Sequence, residues 1–269
     1  MAAVQKLIII KLGGSLITDK SKPLTAKEQV IRRLGKEILS ASRRYQGKII
    51  IGHGSGSFGH FLATKFQTHK GIINDKSLEG AAKVSDVAAK LNRIVAKNFL
   101  KVGLNVVSFS PGSFIVSRSQ KPQKYFLEPI KEALKKGVIP LIHGDVVFDR
   151  DKGFGIFSTE EVIKIIAGGL SKEYKIERII FTTITNGVYD KEGSTIPKIT
   201  SVNFKMFESD IRGALGADVT GGMIQKVRKS LELSKKYKVA VSIINGRIKA
   251  NIKMAILGEN AGGTLINYV

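Results

Sequence analysis

Lysine, histidine and clustered glycine are the residue types in this sequence whose spacing suits phosphate chemistry. Lys11-Leu-Gly-Gly-Ser15 follows one apolar run, and Gly52-His-Gly-Ser-Gly-Ser-Phe-Gly-His60 follows another. Glycines at such turns let successive backbone N–H groups converge on an anion, and a lysine beside them supplies a charge able to follow a transferring phosphoryl group. His60 stands where a helix should begin, so its ring could donate to a phosphate oxygen alongside the helix dipole. A third segment, Asp218-Val-Thr-Gly-Gly-Met223 with Lys226 one turn further on, again pairs a glycine turn and a helix start with a lysine. Taken singly, each has a plainer reading as a strand-end turn, a capped helix or a solvated lysine.

Two strand-to-glycine turns so close in sequence can hold two phosphates facing each other, which transfer to a phosphorylated acceptor requires. Gly54, Gly56 and Gly59 also match the dinucleotide pattern G-x-G-x-x-G. That fingerprint needs a helix, a second strand and an acid about 20 residues on. The stretch Thr64 to Glu79 is polar with only Ile72-Ile73 as an apolar pair, so Asp75 and Glu79 fall on no convincing strand. The run G-x-x-x-x-G-K-S/T is absent, so ATP would be held without the usual P-loop. His53, His69 and His143 read as structural or surface residues.

Composition narrows the field. The 269 residues include no cysteine and four scattered histidines, which excludes disulfides and thiolate metal sites and gives no zinc spacing. No protein-bound metal is expected. Lys+Arg of 44 against Asp+Glu of 22 gives a net charge of +22, a field that draws in anions. The basic residues are single or paired along helical stretches, as at Arg43-Arg44, Lys135-Lys136 and Lys235-Lys236, so they read as solvated surface and nucleic acid is not the expected partner. No apolar run approaches the roughly 18–20 residues that span a bilayer, and Met1 to Ile10 lacks a signal-peptide pattern. A soluble, cytoplasmic protein without a membrane partner is expected.

The elements that must position these residues alternate. Unalternating apolar runs predict strands at Lys6–Leu12 and Lys48–Ile51, each buried on both faces. Between them Thr25-Ala-Lys-Glu28 reads as a capping box for a helix carrying Val30, Ile31, Leu34 and Ile38. A long helix is predicted over Ser77–Leu100, then a strand over Asn105–Phe109. Three helix–strand pairs follow: Glu128–Lys136 with Val138–Ile142, Thr159–Gly168 with Arg178–Phe181, and Gly222–Tyr237 with Val239–Ile244. Val146–Asp149 and Gly153–Ile156 read as a hairpin, and Ile17–Lys22 as another, both natural lids over a site. The expectation is one α/β domain over residues 1–269, a three-layer αβα sandwich with a mostly parallel central sheet.

The residues resemble the amino acid kinase superfamily, and within it the isopentenyl phosphate kinase branch. Lys11-Leu-Gly-Gly-Ser-Leu-Ile-Thr-Asp-Lys20, Gly54-Ser-Gly-Ser-Phe-Gly-His60, His143-Gly-Asp-Val-Val-Phe-Asp149 and Asp218-Val-Thr-Gly-Gly-Met-Ile-Gln-Lys226 are similar to its signature segments in the same order. The first turn is shared across the superfamily; the Ser-Phe-Gly-His ending of the second points to a monophosphate acceptor. The resemblance implies ATP-dependent phosphorylation of isopentenyl phosphate to isopentenyl diphosphate for isoprenoid synthesis, in a homodimer. Magnesium would arrive on ATP. Lys11 and Lys226 would stabilise the transferring phosphoryl group from opposite sides, Lys20 would assist from the first hairpin, and Gly13, Gly14, Ser15 and Gly222 would hold ATP. Gly54, Ser55, Gly59, His60, Asp145 and Thr159 would surround the acceptor, with Gly56 between acceptor and ATP. The isoprenoid tail would enter a pocket lined by apolar helix residues. Residues 1–171 would mainly serve the acceptor and 172–269 the nucleotide.

Two departures stand out. Ser158-Thr-Glu160 replaces the family's Ser-Gly-Asp, so Glu160 takes the place of the carboxylate that organises the lysines, and Ser158 to Glu161 doubles as a capping box. Ile184-Thr-Asn186 replaces an Asp-Val-Asp before Gly187, removing an acidic contact near the nucleotide. Two other readings remain at this level: a superfamily member acting on a carboxylate, nucleoside monophosphate or phosphonate, and a non-catalytic nucleotide or nucleic-acid binder.

Overall fold

The first described element is a strand whose side chains divide between two cores. In the computed structural model, which describes residues 4–213 and 222–269, β1 (Gln5–Leu12) sends Leu7 and Ile9 into one apolar cluster and Ile8, Ile10 and Leu12 into the other. Successive strand residues point to opposite faces, so an unalternating run of this kind is stable only with a layer on each side.

After β1 come α1 (Gly14–Ile17), α2 (Glu28–Ser42), β2 (Lys48–His53), α3 (His60–Lys65), α4 (Ser77–Lys101), β3 (Val106–Phe109), β4 (Ile115–Arg118), β5 (Lys121–Tyr125) and α5 (Glu128–Lys135). Then follow β6 (Ile139–His143), β7 (Asp145–Asp149), β8 (Gly153–Phe157), α6 (Thr159–Leu170), β9 (Tyr174–Thr183), β10 (Lys198–Thr200) and α7 (Phe204–Gly213). The last are α8 (Gly222–Tyr237), β11 (Ala240–Asn245), α9 (Asn251–Leu257) and β12 (Thr264–Asn267). Eight strands form one sheet in the order β10-β12-β11-β9-β1-β2-β6-β3. The β11–β12 pair alone is antiparallel, so the sheet is mostly parallel as expected. Ile31 and Leu34 of α2, Leu91 and Val95 of α4 and Ile252 of α9 fill the core on one face; Ile130 of α5, Val162 and Ile166 of α6 and Val227 of α8 fill the other. This is the three-layer α/β sandwich.

A second sheet, β5-β4-β7-β8, carries the hairpin predicted at Val146–Ile156. Asp149 organises it, accepting from the Ser117 hydroxyl and from the backbone amides of Ser119, Gln120, Asp151 and Lys152. The exposed β5, Lys-Pro-Gln-Lys-Tyr, has no apolar period from which to predict it.

Two local expectations are corrected. Thr25 caps nothing: α2 starts at Glu28 behind Lys27, and the Thr25 hydroxyl donates to the Pro23 carbonyl. The neighbouring Ala26 pairs with Thr18 in a single antiparallel bridge, which draws this stretch out of capping position. Nor is Ile17–Lys22 a hairpin, because Ile17 closes α1 and Asp19 turns the chain by accepting from the Ser21 amide and hydroxyl. Lys20 therefore rides on a loop pinned by the Thr18–Ala26 bridge. The dinucleotide reading closes here too. Behind α3 the chain enters α4, and β3, the strand that follows, lies at the sheet's far edge.

Candidate active site

β1 and β2 are adjacent and parallel, with Leu12 level with His53, so the glycine turns that follow them leave the sheet side by side. They meet backbone to backbone: a Cβ on Gly14 would lie 2.4 Å from the Gly56 nitrogen. Gly56 has φ +52°, and a Cβ there would fall 2.0 Å from the Thr18 hydroxyl. Only glycine fits both the conformation and the space. Thr18, fully buried, joins the turns by donating to the Gly14 carbonyl at 2.8 Å and accepting the Ser57 amide at 3.0 Å. From the other neighbour of β1, the Thr182 hydroxyl accepts the Gly13 amide at 3.3 Å.

Between and beneath the turns lies a cavity of about 570 Å³. Lys11, Lys20, Glu160 and Lys226 all contribute to its wall. So do Gly13, Gly14, Ser15, Gly56 and Gly222 of the predicted ATP set, and Gly54, Ser55, Gly59, Asp145 and Thr159 around the predicted acceptor. His60 opens α3, as its spacing predicts; its side chain lies outside the described part, as do Asp218 and Gly221.

Glu160 sits in the first turn of α6, whose start is fixed by the predicted capping box between Ser158 and Glu161. From there its carboxylate pairs with the Lys11 ammonium, and both side chains are largely buried. Burial pushes the Glu160 carboxyl up, but the Lys11 charge and hydrogen bond, its own backbone amide and the Lys226 charge outweigh it and hold it at about 2. The longer acid thus reaches the lysine. Lys11 in turn passes 3.8 Å, at its Cε, from where a Gly54 Cβ would lie, so its ammonium stands beside the second turn.

The cavity has two unlike ends. At one, Ala63, Val84, Ala88 and Ile156 form an apolar wall. Asp145 borders it with its oxygens engaged by the Val146 amide at 2.7 Å and the Ser85 and Ser110 hydroxyls at 3.1 Å each. Thr159 donates its hydroxyl to the His53 carbonyl at 2.7 Å. At the other end stand Thr183, Ile184, Thr185, Tyr189, Ile211 and Met223. There Thr183 accepts the Thr185 amide and the Tyr189 hydroxyl accepts the Asn186 amide, both at 3.0 Å, so side chains set the loop after β9. Sequence reasoning missed Thr18, Thr182 and the Ser85–Ser110 pair. Of these only Thr182, next to last in a buried strand and beside a second threonine, carries even a weak signal.

The whole arrangement has counterparts. The amino acid kinase family model matches residues 6–245. The chain belongs to the amino acid kinase family. Within the family it is 33% identical to the isopentenyl phosphate kinase of Methanothermobacter thermautotrophicus over 97% of this chain and 98% of that one. It is 31% identical to that of Methanocaldococcus jannaschii, over 97% and 99% of the two chains. A solved isopentenyl phosphate kinase structure superposes with a TM-score of 0.81 at 30% identity, covering 97% of this chain and 100% of the other. Membership accounts for the order of the glycine turns, the hairpin and α8 along the chain.

Proposed function

We propose that this chain transfers the terminal phosphoryl group of ATP to isopentenyl phosphate, giving isopentenyl diphosphate and ADP. The observation that carries the reading is the contact of the two glycine turns, Gly14 against Gly56, over one cavity with Lys11 beside both. Two phosphate-binding turns in van der Waals contact suit a donor phosphate and an acceptor phosphate in line. The apolar wall of Ala63, Val84, Ala88 and Ile156 suits a short hydrocarbon next to the acceptor turn, and the relatives named above act on the same acceptor.

An oxygen of the acceptor phosphate bonds to the terminal phosphorus while the bond to the bridging oxygen breaks, and ADP leaves with that electron pair. The attacking oxygen is already anionic, so positioning and charge neutralisation do the catalysis and no base is needed. Gly13, Gly14 and Ser15 would hold the donor's phosphates, and Gly54, Ser55 and His60 the acceptor's. Lys11, steadied by Glu160, and Lys226 across the cavity would meet the charge on the group in transit. Among the described residues no three His, Asp or Glu side chains gather to hold a metal, so the fit for magnesium rests on the oxygens of ATP. There it would offset triphosphate charge.

The acceptor contacts come before residue 172 and Thr183–Tyr189, Ile211 and Lys226 after it, which supports the division into acceptor and nucleotide halves. A homodimer belongs to the same reading, on the exposed Leu100 of α4 and Val107 of the edge strand β3. Among the described residues no helix is long and apolar enough to cross a membrane, and dependence on ATP suits the cytoplasm. Purified protein with Mg-ATP and isopentenyl phosphate should release ADP and show a new diphosphate in ³¹P NMR. Turnover of a carboxylate or nucleoside monophosphate in its place would overturn the acceptor.

A further inference from the structure

His53 ends β2 directly ahead of the acceptor turn, is buried, and is absent from the cavity wall. Its Nδ1 lies 3.2 Å from the Gly54 carbonyl oxygen and its Nε2 3.2 Å from Asn92 Nδ2 on α4. A carbonyl oxygen only accepts, so Nδ1 carries the proton and donates it; a neutral ring then presents a bare Nε2 to the Asn92 amide donor. Burial, the His143 ring stacked at 5.6 Å and the Lys11 charge press the His53 pKa down, against the Gly54 bond that raises it, to about 3. The ring is neutral throughout the physiological range.

The neighbouring peptides show what this tautomer does. The Gly54 amide donates to the Leu12 carbonyl at 2.9 Å and the His53 carbonyl accepts from Thr159, so the peptide before Gly54 is fixed at both poles. In the next peptide the Gly54 carbonyl is turned to the His53 ring, away from the cavity. A trans peptide directs its N–H the opposite way. The Ser55 amide makes no hydrogen bond among the described residues, and Gly54 and Ser55 both line the cavity.

We propose that His53, held as the Nδ1–H tautomer by Asn92, is a positioning residue that aims the Ser55 amide at the phosphate of the acceptor. The inference rests on the acceptor reading above. It makes His53 an indirect contributor to acceptor affinity, without contact to substrate and without a proton to give.

Steady-state kinetics on three variants test it. His53→Phe removes both ring nitrogens. His53→Asn keeps a donor at the Nδ1 position, and His53→Gln keeps only a polar group near the Nε2 position. The loss of one hydrogen bond predicts a rise of about fivefold to tenfold in KM for isopentenyl phosphate in the Phe and Gln variants. KM for ATP and kcat should stay within about twofold, and the Asn variant should return close to wild type, on the same reasoning. A purely structural role would lower Tm in all three without this split, and equal KM values across folded variants would overturn the proposal. If the Phe variant fails to fold, ¹⁵N NMR of the wild-type imidazoles decides: a neutral His53 protonated at Nδ1 is expected at pH 7, and an Nε2–H or doubly protonated ring overturns it. The tautomer measurement needs no substrate. Should wild type not turn over isopentenyl phosphate, the acceptor reading fails, while the NMR result still judges the His53 geometry.

Discussion

The two ends of the cavity are built by different means. At the acceptor end of the proposed reading, side chains from three elements and from the loop after α1 fasten the backbone: Thr18 ties the two turns together, Thr159 and His53 hold successive carbonyls, and Asn92 sets the His53 ring. At the nucleotide end of the proposed reading, Thr183 and Tyr189 brace the loop from within while Thr264 of β12 accepts the Val188 amide and Asn245 of β11 donates to the Asn186 side chain, and the wall sets Ile184, Ile211 and Met223 among Thr183, Thr185 and Tyr189. Of the two carboxylates on the described cavity wall, Asp145 borders the apolar end and Glu160 pairs with Lys11 between the ends. In the proposed reading, one end fixes the acceptor's anion in place and the other receives the nucleotide. Lys11 belongs to both, which makes it the first place to test the contrast.

Lys11→Ala should cost about 10²–10³ in kcat, the scale of removing one preorganised charge-stabilising group, whichever substrate is varied. It also leaves the buried Glu160 without its hydrogen-bonded partner and with only the Lys226 charge beside it, and losing one partner of a buried pair costs up to about 3–5 kcal/mol. The double variant Lys11→Ala, Glu160→Ala should therefore recover much of the lost thermal stability and none of the rate. Recovery of activity in the double variant would show that the pair, rather than the lysine, was the element in action.

His60→Ala is the sharper probe of the acceptor end. A drop of at least about tenfold in kcat/KM for isopentenyl phosphate is expected, in line with loss of a positioned group, with KM for ATP little changed. An equal effect on both substrates would erase the functional boundary between the ends.

The same contrast explains what was legible in the sequence. Lys11, Gly13, Gly14, Gly54 and Gly56 stand in two short segments whose local geometry is fixed by residue type, and the parallel pairing of β1 with β2 follows from two unalternating runs. The capping box at Ser158 likewise placed Glu160 correctly, because caps are local. Thr18, Asn92 and Ser110 were invisible for the opposite reason. Their partners, Ser57, His53 and Asp145, lie 35 to 39 positions away, and no spacing rule connects a side chain to a group it meets only in three dimensions. Thr25 misled because its motif was satisfied in sequence while its neighbour was claimed by Thr18 in space.

The nucleotide end gives a weaker expected effect. Apolar pockets discriminate between similar ligands by factors of about 10–200, whereas a site built to pair with a polar edge reaches about 10⁴–10⁵. With Ile184 and Met223 as its walls, the ratio of kcat/KM for ATP over GTP or CTP should fall in the lower range. A ratio near 10⁴ would mean that the base is read by hydrogen bonds after all, and the two ends would be more alike than their described walls indicate.

The smallest effect concerns acid. Glu160 has its ordinary value of 4.5 in the unfolded chain and about 2 in the folded one, so folding favours its ionised form. The unfolded state binds the proton first as pH falls, so the contribution to stability is complete above pH 4.5, declines below it, and is gone once pH has passed through about 2. Glu160→Gln removes that titration, and its Tm should lose less than wild type's between pH 5 and pH 3 while starting from a lower value at pH 7. Parallel Tm curves for the two proteins would mean that Lys11 is held by something other than this carboxylate, and the residue shared by the two ends would then need a different anchor.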